Sequence, residues 1–599
     1  MKYSDYFIDS LVSLGYTHCF YVGGGNVMHL LESARTRLQC IAVTHEVSAA
    51  IAAEYFNVAM RDSKNRAFAM VTAGPGLTNL VTGIAGSWLE SRELLVVGGQ
   101  ARTSLLSRGT VRQVGHQEID GASLVTPITK VSVRIEKPIS TNEISNLVFP
   151  ASVGRKGPVF LEICLDVTLI EVEPDNWEVP SWPSIISQVE DLDLELEIRN
   201  CIPLIQNSKR PLILVGGGLS YTTFKSLEPQ LKELKIPVAT TWNAADYLDF
   251  DSEIYAGRPN TYGMRWANAI IQQCDLLISV GARLGLQQTG FNVQEFAPLA
   301  KIIRVDIDED ELKRSQPKTD LSILSDASIF FEKLMSSVSS LSKSEEWREW
   351  LDFIHETKEL LPVSEHANSM QNEFANPFQI IQELSDLLSP LDSVIPCSSG
   401  GAYTSVMQAF RQKSGQLLTN NKGLASMGYG LAGAIGTSFA RPNSRVVLIE
   451  GDGGFAQNLQ EIGTVVNRKL NLKIFLFDNS GYASIRISQK AYFDGNYLGC
   501  DSETGIQLPD WEKLFSAWGV ETHVVSDSIL NSQEAIEALK ADGPAAFIVK
   551  IDREQPFLPK ITSRIGNDGT ISSNPIHLMH PPLSSEISDK VFRFLVPKI

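Results

Sequence analysis

The sequence predicts an α/β protein with three doubly wound parallel-sheet domains and an irregular C-terminal tail. A chain of 599 residues is too long for one hydrophobic core, and domains of roughly 100–200 residues imply about three. Short β-rich runs alternate with helical stretches, which is typical of parallel strands joined by crossover helices. Polar breaks interrupt this alternation and divide it into three sets.

The first domain is predicted at residues 1–168, with the strand-like runs HCFYV, IAVT, AFAMVT, ELLVVGG and VFLEI. A segment rich in proline and acidic residues follows at about 169–190. The pattern resumes over 190–340 with PLILVGGG, PVATTW, DLLISVG and KIIRVDID. After the stretch SSVSSLSKSEEWREW, a third domain is predicted at 370–560, with SVIPC, RVVLIEGDGG, LKIFLFDN and AAFIVKID. Residues 561–599 form the predicted tail.

Composition and charge argue against several classes of protein. No segment approaches the about 18 consecutive apolar residues of a membrane helix, and the first residues lack the pattern of a signal peptide. We therefore expect a cytoplasmic protein with no membrane partner. The net charge is −17 without a clear basic cluster, which predicts no nucleic-acid partner. The seven cysteines include no CxxC pair, so we expect reduced core residues.

One candidate ligand site follows a strand of the third domain. The run RVVLIEGDGGFAQNLQE leads from an apolar strand into Gly451, Asp452, Gly453 and Gly454 and then into a helix. Open α/β sheets bind ligands at the carboxyl ends of their strands. Glycines let the backbone approach a diphosphate, a helix start offers free N–H groups, and an acid can hold Mg²⁺. The segment therefore predicts a diphosphate and magnesium site.

The next strand supplies further oxygen ligands. KIFLFDNSGY ends at Asp478, Asn479, Ser480 and Gly481. An Asn479 side chain and a Gly481 carbonyl at the same crevice would complete the oxygen-only set that Mg²⁺ prefers. The alternative is that glycine and aspartate serve only as turn and cap residues.

A carboxylate in the first domain is a candidate acid–base group. The strand CIAVT ends just before Glu46, and a helix rich in small residues begins there. A partly desolvated carboxyl at that position can share a proton with a heterocyclic nitrogen. The alternative is a first-turn glutamate that stabilises the helix dipole.

Two longer stretches resemble a known enzyme family. IGTSFARPNSRVVLIEGDGG resembles the signature of thiamine-diphosphate enzymes, and HEVSAA with VTAGPGLTNLVTGIAGSW resembles the pyrimidine-binding domain of the acetohydroxyacid synthases. The resemblance extends from residue 1 to about 585. It implies a pyrimidine-binding first domain, a diphosphate-binding third domain, thiamine diphosphate and Mg²⁺ as cofactors, and activation of the cofactor by Glu46. In this family the two halves of the site come from different subunits, so a homodimer or homotetramer is implied.

The resemblance also assigns cofactor contacts. Pro75 and Asn79 should line the pyrimidine pocket. Met427 stands where the family uses an apolar side chain to bend the cofactor, although it could equally be core filler. The remaining implied cofactor-binding residues are Ser399, Gly400 and Tyr482.

Other positions bear on the substrates. RQVGHQEID resembles the synthase loop that brings a glutamine, here Gln117, beside the cofactor. His116 replaces the usual phenylalanine and either faces substrate or lies on the surface. VGGGNVMHLLE departs from the usual GVPGG loop, so Asn26 and His29 either shape a different acceptor pocket or are structural.

The segment GYASIRISQKAYFDGNYLG lacks the Met and Trp pattern of acetolactate synthases and resembles thiamine enzymes of polysaccharide and deoxysugar clusters. We therefore predict a carboligase that decarboxylates a 2-oxo acid, pyruvate, and adds the two-carbon unit to a ketone such as a nucleotide-linked keto-sugar. The alternatives are an acetolactate synthase and a decarboxylase or C–C hydrolase. A non-catalytic homologue is disfavoured because Glu46, Asp452 and Asn479 are all present.

Whether the central domain binds FAD stays open. LILVGGG, SVGARLG and RVDIDEDE stand where the synthases hold this cofactor. VGGG is no GxGxxG fingerprint, and tight strand-to-helix turns explain the same glycines. The candidate flavin residues are Gly217, Arg283 and Asp306.

Overall fold

A computed structural model of the protein describes residues 1–173, 191–339, 344–369, 374–565 and 571–595. Most of the predicted break at 169–190, part of the predicted tail and a few positions at the predicted domain ends lie outside the described residues; these positions are 174–190, 340–343, 370–373, 566–570 and 596–599. Within the described part of the chain, no helix is long and apolar enough to cross a membrane.

The N-terminal sheet has six parallel strands in the order β2-β1-β3-β4-β6-β5. Its strands are β1 Tyr16–Tyr21, β2 Gln39–Ala42, β3 Arg66–Val71, β4 Leu94–Gln100, β5 Val131–Ile135 and β6 Pro158–Cys164. The helices around it are α1 Tyr3–Ser13, α2 Met28–Arg35, α3 Glu46–Ala59, α4 Pro75–Leu89, α5 Gly121–Val125 and α6 Thr141–Val148. The central strands of this sheet are buried on both faces, which explains their continuous apolar runs.

The central sheet has five parallel strands in the order β11-β10-β9-β7-β8. They are β7 Pro211–Val215, β8 Val238–Thr240, β9 Leu276–Val280, β10 Lys301–Asp306 and β11 Leu321–Leu324. The helices are α7 Asp191–Asn207, α8 Tyr221–Leu234, α9 Arg265–Ile271, α10 Leu286–Thr289, α11 Glu309–Leu312 and α12 Ala327–Val338, followed by α13 Ser344–Leu360.

The C-terminal sheet repeats the strand order of the N-terminal one. Its six parallel strands are arranged β13-β12-β14-β15-β17-β16. They are β12 Ser393–Pro396, β13 Leu417–Leu418, β14 Val446–Gly451, β15 Leu472–Asp478, β16 Glu521–Val525 and β17 Ala545–Lys550. The helices are α14 Pro377–Leu387, α15 Gly400–Ala409, α16 Tyr429–Ala440, α17 Asp452–Phe455, α18 Ile462–Asn467, α19 Ala483–Tyr492, α20 Trp511–Ala517 and α21 Gln533–Lys540. The three predicted parallel-sheet domains are thus present.

The tail is less irregular than its composition suggests. Its described residues form two short antiparallel pairs and one helix. These elements are β18 Lys560–Ile561, β19 Ser563–Ile565, β20 Ile571–Ser573, β21 Met579–His580 and α22 Ser585–Val591.

The N- and C-terminal domains are joined through α3 and α16. Small residues allow the close approach, since a Cβ added to Gly436 would lie 2.0 Å from the carbonyl oxygen of Ala52. The fully buried carboxylate of Glu54 crosses this junction. It accepts hydrogen bonds from Arg92 at 2.7 Å and Asn421 at 3.0 Å, and from the hydroxyl of Tyr429. Three partners thus share one buried charge.

Candidate active site

Glu46 is the first residue of α3, directly beyond the carboxyl end of β2. The side-chain amide of Asn79, on α4, donates a 3.0 Å hydrogen bond to Glu46 Oε2. Helix α4 begins at Pro75, whose missing N–H is no loss at a helix start. The structure therefore brings together three residues that the sequence predicted for the pyrimidine pocket.

Gln117 joins the same group. Its backbone has a φ of 58°, which is uncommon for a residue other than glycine. It lies against Gly74, the residue before Pro75, where an added Cβ would be 2.5 Å from the Gln117 carbonyl oxygen. The buried carboxylate of Glu118 holds the loop, because it accepts hydrogen bonds from the N–H groups of Val114 at 2.8 Å and Gly115 at 3.0 Å. This anchor was not predicted.

The predicted substrate loop lies beside this cluster. The N–H of Asn26 donates to the hydroxyl of Thr72 over 3.4 Å, and Thr72 directly follows β3, the strand that leads to Pro75. His29 is half-buried in the first turn of α2, and His116 is exposed beside Gln117. The positions are compatible with access to a ligand at this sheet edge.

Asp452 forms the centre of the C-terminal cluster. Its carboxylate is 1% exposed and accepts hydrogen bonds from the N–H groups of Gly453 at 2.7 Å and Gly481 at 2.8 Å. Burial, with the nearby charge of Asp478, raises the pKa of Asp452 to about 7 against the pull of these hydrogen bonds. A buried acid of this kind is stabilised as a carboxylate by a cation.

Asn479 lies in the adjacent turn. Its Oδ1 is buried and has no hydrogen-bond partner among the described residues. The side chain of Arg486 holds this turn in place. It is 1% exposed and donates hydrogen bonds to the backbone carbonyls of Asn479 at 2.8 Å and Ser480 at 3.3 Å. A backbone pinned by a buried guanidinium holds the Asn479 amide in place.

The two clusters are separate within one chain. Across the ranges that the structure covers, no hydrogen bond or ion pair joins Glu46 or Asn79 to Asp452 or Asn479. The loop before Glu46 does contact the C-terminal domain, because the N–H groups of Thr44 and His45 each donate to Glu461 Oε1 at 3.0 Å.

Comparison with known proteins also finds three domains in the chain. Three domain families of thiamine pyrophosphate enzymes match it: the N-terminal TPP binding domain at residues 1–124, the central domain at 198–334 and the C-terminal TPP binding domain at 399–549. A probable acetolactate synthase large subunit of Methanocaldococcus jannaschii is 30% identical over 90% of this chain and 89% of its own.

Two further relatives are acetolactate synthase large subunits. The Cyanidium caldarium protein is 30% identical over 86% of this chain and 87% of its own, and the Lactococcus lactis protein is 27% identical over 94% and 95%. The chain belongs to the thiamine-diphosphate-dependent enzymes of the acetolactate synthase type. The family resemblance inferred from the sequence is thereby confirmed.

The C-terminal domain of this thiamine enzyme has room for the diphosphate and its metal. A Cβ added to Gly451 would meet nothing within 4 Å, and the same holds for Gly400, whose φ is +80°. Ser399 stands at the start of α15, before Gly400. Gly453 is different, because an added Cβ would lie 2.3 Å from the ring of Tyr482. The open glycine positions and the unpartnered Asn479 Oδ1 fit a bound diphosphate with Mg²⁺.

The metal would depend on few side chains. The described residues contain no group of three or more His, Cys, Asp or Glu side chains placed to hold a metal. One carboxylate from Asp452, the Asn479 amide and the Gly481 carbonyl are the oxygens available. Mg²⁺ accepts such a set because it keeps water and substrate phosphates as further ligands.

Met427 is 37% exposed, so this chain does not use it as core filler. Its sulfur lies 3.8 Å from the side-chain nitrogen of Gln457. It remains available for contact with a cofactor.

A buried glutamate that the sequence did not single out lies beneath the Asp452 turn. Glu450 is 2% exposed, and burial raises its pKa to about 8. A Cβ added to Gly430 would lie 2.2 Å from one carboxylate oxygen of Glu450, and a Cβ added to Gly454 would lie 2.6 Å from the other. Sequence alone cannot separate such an acid from an ordinary strand-end residue, because its burial depends on α16.

The central domain of the enzyme gives a mixed result for the flavin residues. A Cβ on Gly217 would lie 3.0 Å from Asn243 Cβ, so tight packing explains this glycine. Arg283 is exposed, and burial raises the pKa of Asp306. Nearby, Arg304 is 1% exposed, and its Nε and Nη1 have no hydrogen-bond partner among the described residues. Unsatisfied buried N–H groups of this kind suit an anionic ligand.

Proposed function

We propose that the protein decarboxylates pyruvate with thiamine diphosphate and Mg²⁺ and transfers the two-carbon unit to the keto group of a second pyruvate, giving acetolactate. The cluster of Asp452, Asn479 and Gly481 carries this proposal, because it supplies a buried acid, a free amide oxygen and a glycine backbone at two adjacent strand ends. The names of the curated relatives favour acetolactate over the sugar product expected from the sequence.

Each half of the proposed site has its own task. Asp452, Asn479 and Gly481 would hold Mg²⁺, with Gly451, Gly400 and Ser399 around the diphosphate. Bound thiamine diphosphate supplies a carbon nucleophile for 2-oxo acids.

In the N-terminal half, Glu46 would hold a proton against the pyrimidine ring, and Asn79 keeps its carboxylate oriented through the 3.0 Å hydrogen bond. Gln117 and His116 would face the substrate, with Pro75 and Met427 along the cofactor. Asn26 and His29 would line the acceptor side. These roles are our proposal.

The test is product analysis. Purified protein is incubated with thiamine diphosphate, Mg²⁺ and pyruvate, with and without ketones and nucleotide-linked keto-sugars, and carbon dioxide and products are followed by mass spectrometry. Acetolactate from pyruvate alone is the expected result. If pyruvate is not consumed under any of these conditions, the proposed donor is wrong.

A keto-sugar acceptor is the second candidate. It is favoured by Gly23, which replaces the proline of the synthase loop, and by the segment GYASIRISQKAYFDGNYLG. In the structure, Tyr492 and Phe493 of that segment, at the C-terminal end of α19, are 77% and 61% exposed, so the end of this helix presents an aromatic surface to solvent. An acetyl-branched sugar formed only in the presence of the keto-sugar would establish this candidate and displace the first.

We infer that a second copy of the chain completes each site. Among the described residues, neither Glu46 nor Asp452 is hydrogen-bonded to the other's cluster. Exposed apolar side chains lie near both in the sequence: Val111 and Val114 precede Gln117, and Leu498 follows Asn479. Mixing two inactive variants, Glu46→Gln and Asp452→Ala, should restore turnover through mixed oligomers. A monomeric mass in light scattering, with no restored turnover, would contradict this inference. A cytoplasmic location remains our prediction.

We also propose that the central domain binds FAD in a non-redox role, with the unsatisfied Arg304 guanidinium close to its anionic part. Gly217, Arg283 and Asp306 remain the other residues to test. Protein reconstituted with FAD, freed of excess ligand and then denatured, should release flavin with its absorbance spectrum. If no flavin is released and the protein binds ADP instead, the Arg304 guanidinium binds another nucleotide.

A further inference from the structure

Two cysteines face each other across the first two strands of the N-terminal sheet. β1 and β2 run parallel, and their register places Cys19 opposite Cys40. Neighbouring strands lie about 4.8 Å apart, inside the window of about 4.4–6.8 Å that separates the Cα atoms of disulfides. The backbone therefore allows a disulfide bond between these residues without displacement of either strand.

Both side chains lie on the same face of the sheet. Cys19 is fully buried in the apolar cluster beneath α1 and α2, and Cys40 packs against that cluster from the edge. Their neighbours Phe20 and Ile41 belong to the cluster on the opposite face. The alternation of a strand thus directs both thiols to one side.

The two thiols differ in character. A hydrogen bond with Cys19 lowers the pKa of Cys40, whereas burial raises the pKa of Cys19 well above its usual value. Cys40 is also only half-buried, on the edge strand of the sheet. A more acidic and more accessible thiol is the one that reacts with oxidants. The other thiol is positioned to react with it afterwards.

We propose that Cys19 and Cys40 form a peroxide-oxidisable dithiol that closes as an intramolecular disulfide. The Cys40 thiolate attacks a peroxide oxygen, the O–O bond breaks, and hydroxide leaves with the thiol proton as water. The Cys19 thiol then attacks the Cys40 sulfenic acid, so that the S–S bond forms and a second water leaves. The two sulfur atoms lose two electrons in total, and hydrogen peroxide gains them.

The position of the pair connects it with the candidate site. β1 leads into the loop that carries Asn26, and β2 leads through His45 to Glu46. A disulfide would tie these two strands together beneath their site loops. The inference rests on the N-terminal sheet alone and does not depend on the proposed reaction.

The test is oxidation of the full-length protein. Reduced protein is treated with hydrogen peroxide, its free thiols are alkylated after denaturation, and tryptic peptides are analysed by mass spectrometry. The expected product is a cross-link between peptides 3–35 and 38–61, which hold Cys19 and Cys40, and dithiothreitol should release it. The proposal is overturned if both thiols are still free for alkylation after the peroxide treatment, or if oxidation stops at a sulfinic acid on Cys40.

Two variants make the assignment specific. Cys40→Ser should abolish the cross-link, and because Cys40 is only half-buried the reduced variant should keep the wild-type circular dichroism spectrum. Cys164→Ser is the matched control, since Cys164 is a buried cysteine of the same sheet. It should leave the cross-link intact. Loss of the cross-link in Cys164→Ser would show that the bond depends on a cysteine outside the assigned pair and would contradict the proposal.

Discussion

The backbone N–H of Gly481 donates a 2.8 Å hydrogen bond to the carboxylate of Asp452, and this contact joins two adjacent strand ends in one candidate metal site. Gly481 has a φ of +129°, and a Cβ there would lie 2.2 Å from the carbonyl oxygen of Cys500. Gly481→Ala should therefore displace the turn and abolish Mg²⁺-dependent binding of thiamine diphosphate, measured by calorimetry.

Gly505→Ala is the matched control for that change. Its φ is +117°, but an added Cβ would meet nothing within 4 Å. It introduces the same backbone strain, of about 1–3 kcal/mol, without the clash. Cofactor binding should survive in this variant, and equal loss in both would show that strain alone explains the effect.

Glu46→Gln should keep cofactor affinity and lose turnover by about a hundredfold or more, because a proton-transfer group is removed while its shape is kept. Calorimetry with thiamine diphosphate and steady-state rates separate the two effects. Asn79→Ala should show a smaller loss of turnover, since it removes only the hydrogen bond to Glu46. Wild-type turnover in Glu46→Gln would refute the role proposed for this carboxylate.

Arg486 supports the Asn479 turn through backbone carbonyls and, in the part of the chain that the structure describes, forms no hydrogen bond or ion pair with the carboxylate of Asp452. Arg486→Met removes the donors to the carbonyls of Asn479 and Ser480. It should weaken thiamine diphosphate binding about tenfold, equivalent to about 1.4 kcal/mol, with turnover at saturating cofactor nearly unchanged. Lys490→Met, on the exposed side of the same helix, is the control and should bind like wild type. A fall in turnover without a change in affinity would contradict a positioning role.

Glu118 makes loop stability depend on pH. Burial would raise its pKa, but hydrogen bonds from Ser107, Val114 and Gly115 outweigh burial and lower it to about 2. Because the folded-state pKa is depressed, this stabilisation is fully present above the unfolded value of about 4.3 and is lost as pH falls toward 2.

The matching variant is Glu118→Gln. It should be less stable than wild type by about 1–3 kcal/mol at neutral pH. The difference in unfolding temperature should shrink between pH 5 and pH 3, and tryptic cleavage at Arg108 and Arg112 should be faster at neutral pH. An unfolding-temperature gap that does not change with pH would show that the charge of Glu118 is not the cause.

Glu54 links three elements across the junction of two domains. Glu54→Gln leaves the buried Arg92 guanidinium without its carboxylate, which should destabilise the protein by roughly 3 kcal/mol, seen as a lower urea midpoint. Glu32→Gln removes the exposed ion pair between Glu32 and Arg35 and should leave the urea midpoint close to that of wild type, because solvent screens the pair. Equal effects would mean that burial does not set the strength of this pair.

The limits of sequence reasoning can be seen in the strands. Among the described residues, four strands of the three parallel sheets were not predicted: β5, β11, β13 and β16. Each lies at the edge of its sheet. Central strands are buried on both faces and have continuous apolar runs, whereas an edge strand is half-exposed and short, so its pattern is weak. Glu118 and Arg486 were missed for another reason: their partners are backbone N–H and C=O groups of nearby loops, and no side-chain pattern reveals such contacts.

The sequence alone determined the α/β class and the strand-to-turn positions of Glu46 and Asp452, because periodicity and turn chemistry are local properties. The enzyme family followed from the resemblance of whole stretches to known thiamine-diphosphate enzymes. Only the tertiary structure decided that Asn79 bonds Glu46, that Gln117 is held in a left-handed conformation beside Gly74, and that Arg486 supports Asn479. The first two relationships join residues more than 30 positions apart, and the third depends on how the turn and α19 pack after folding. Their geometry depends on packing, which no local pattern specifies.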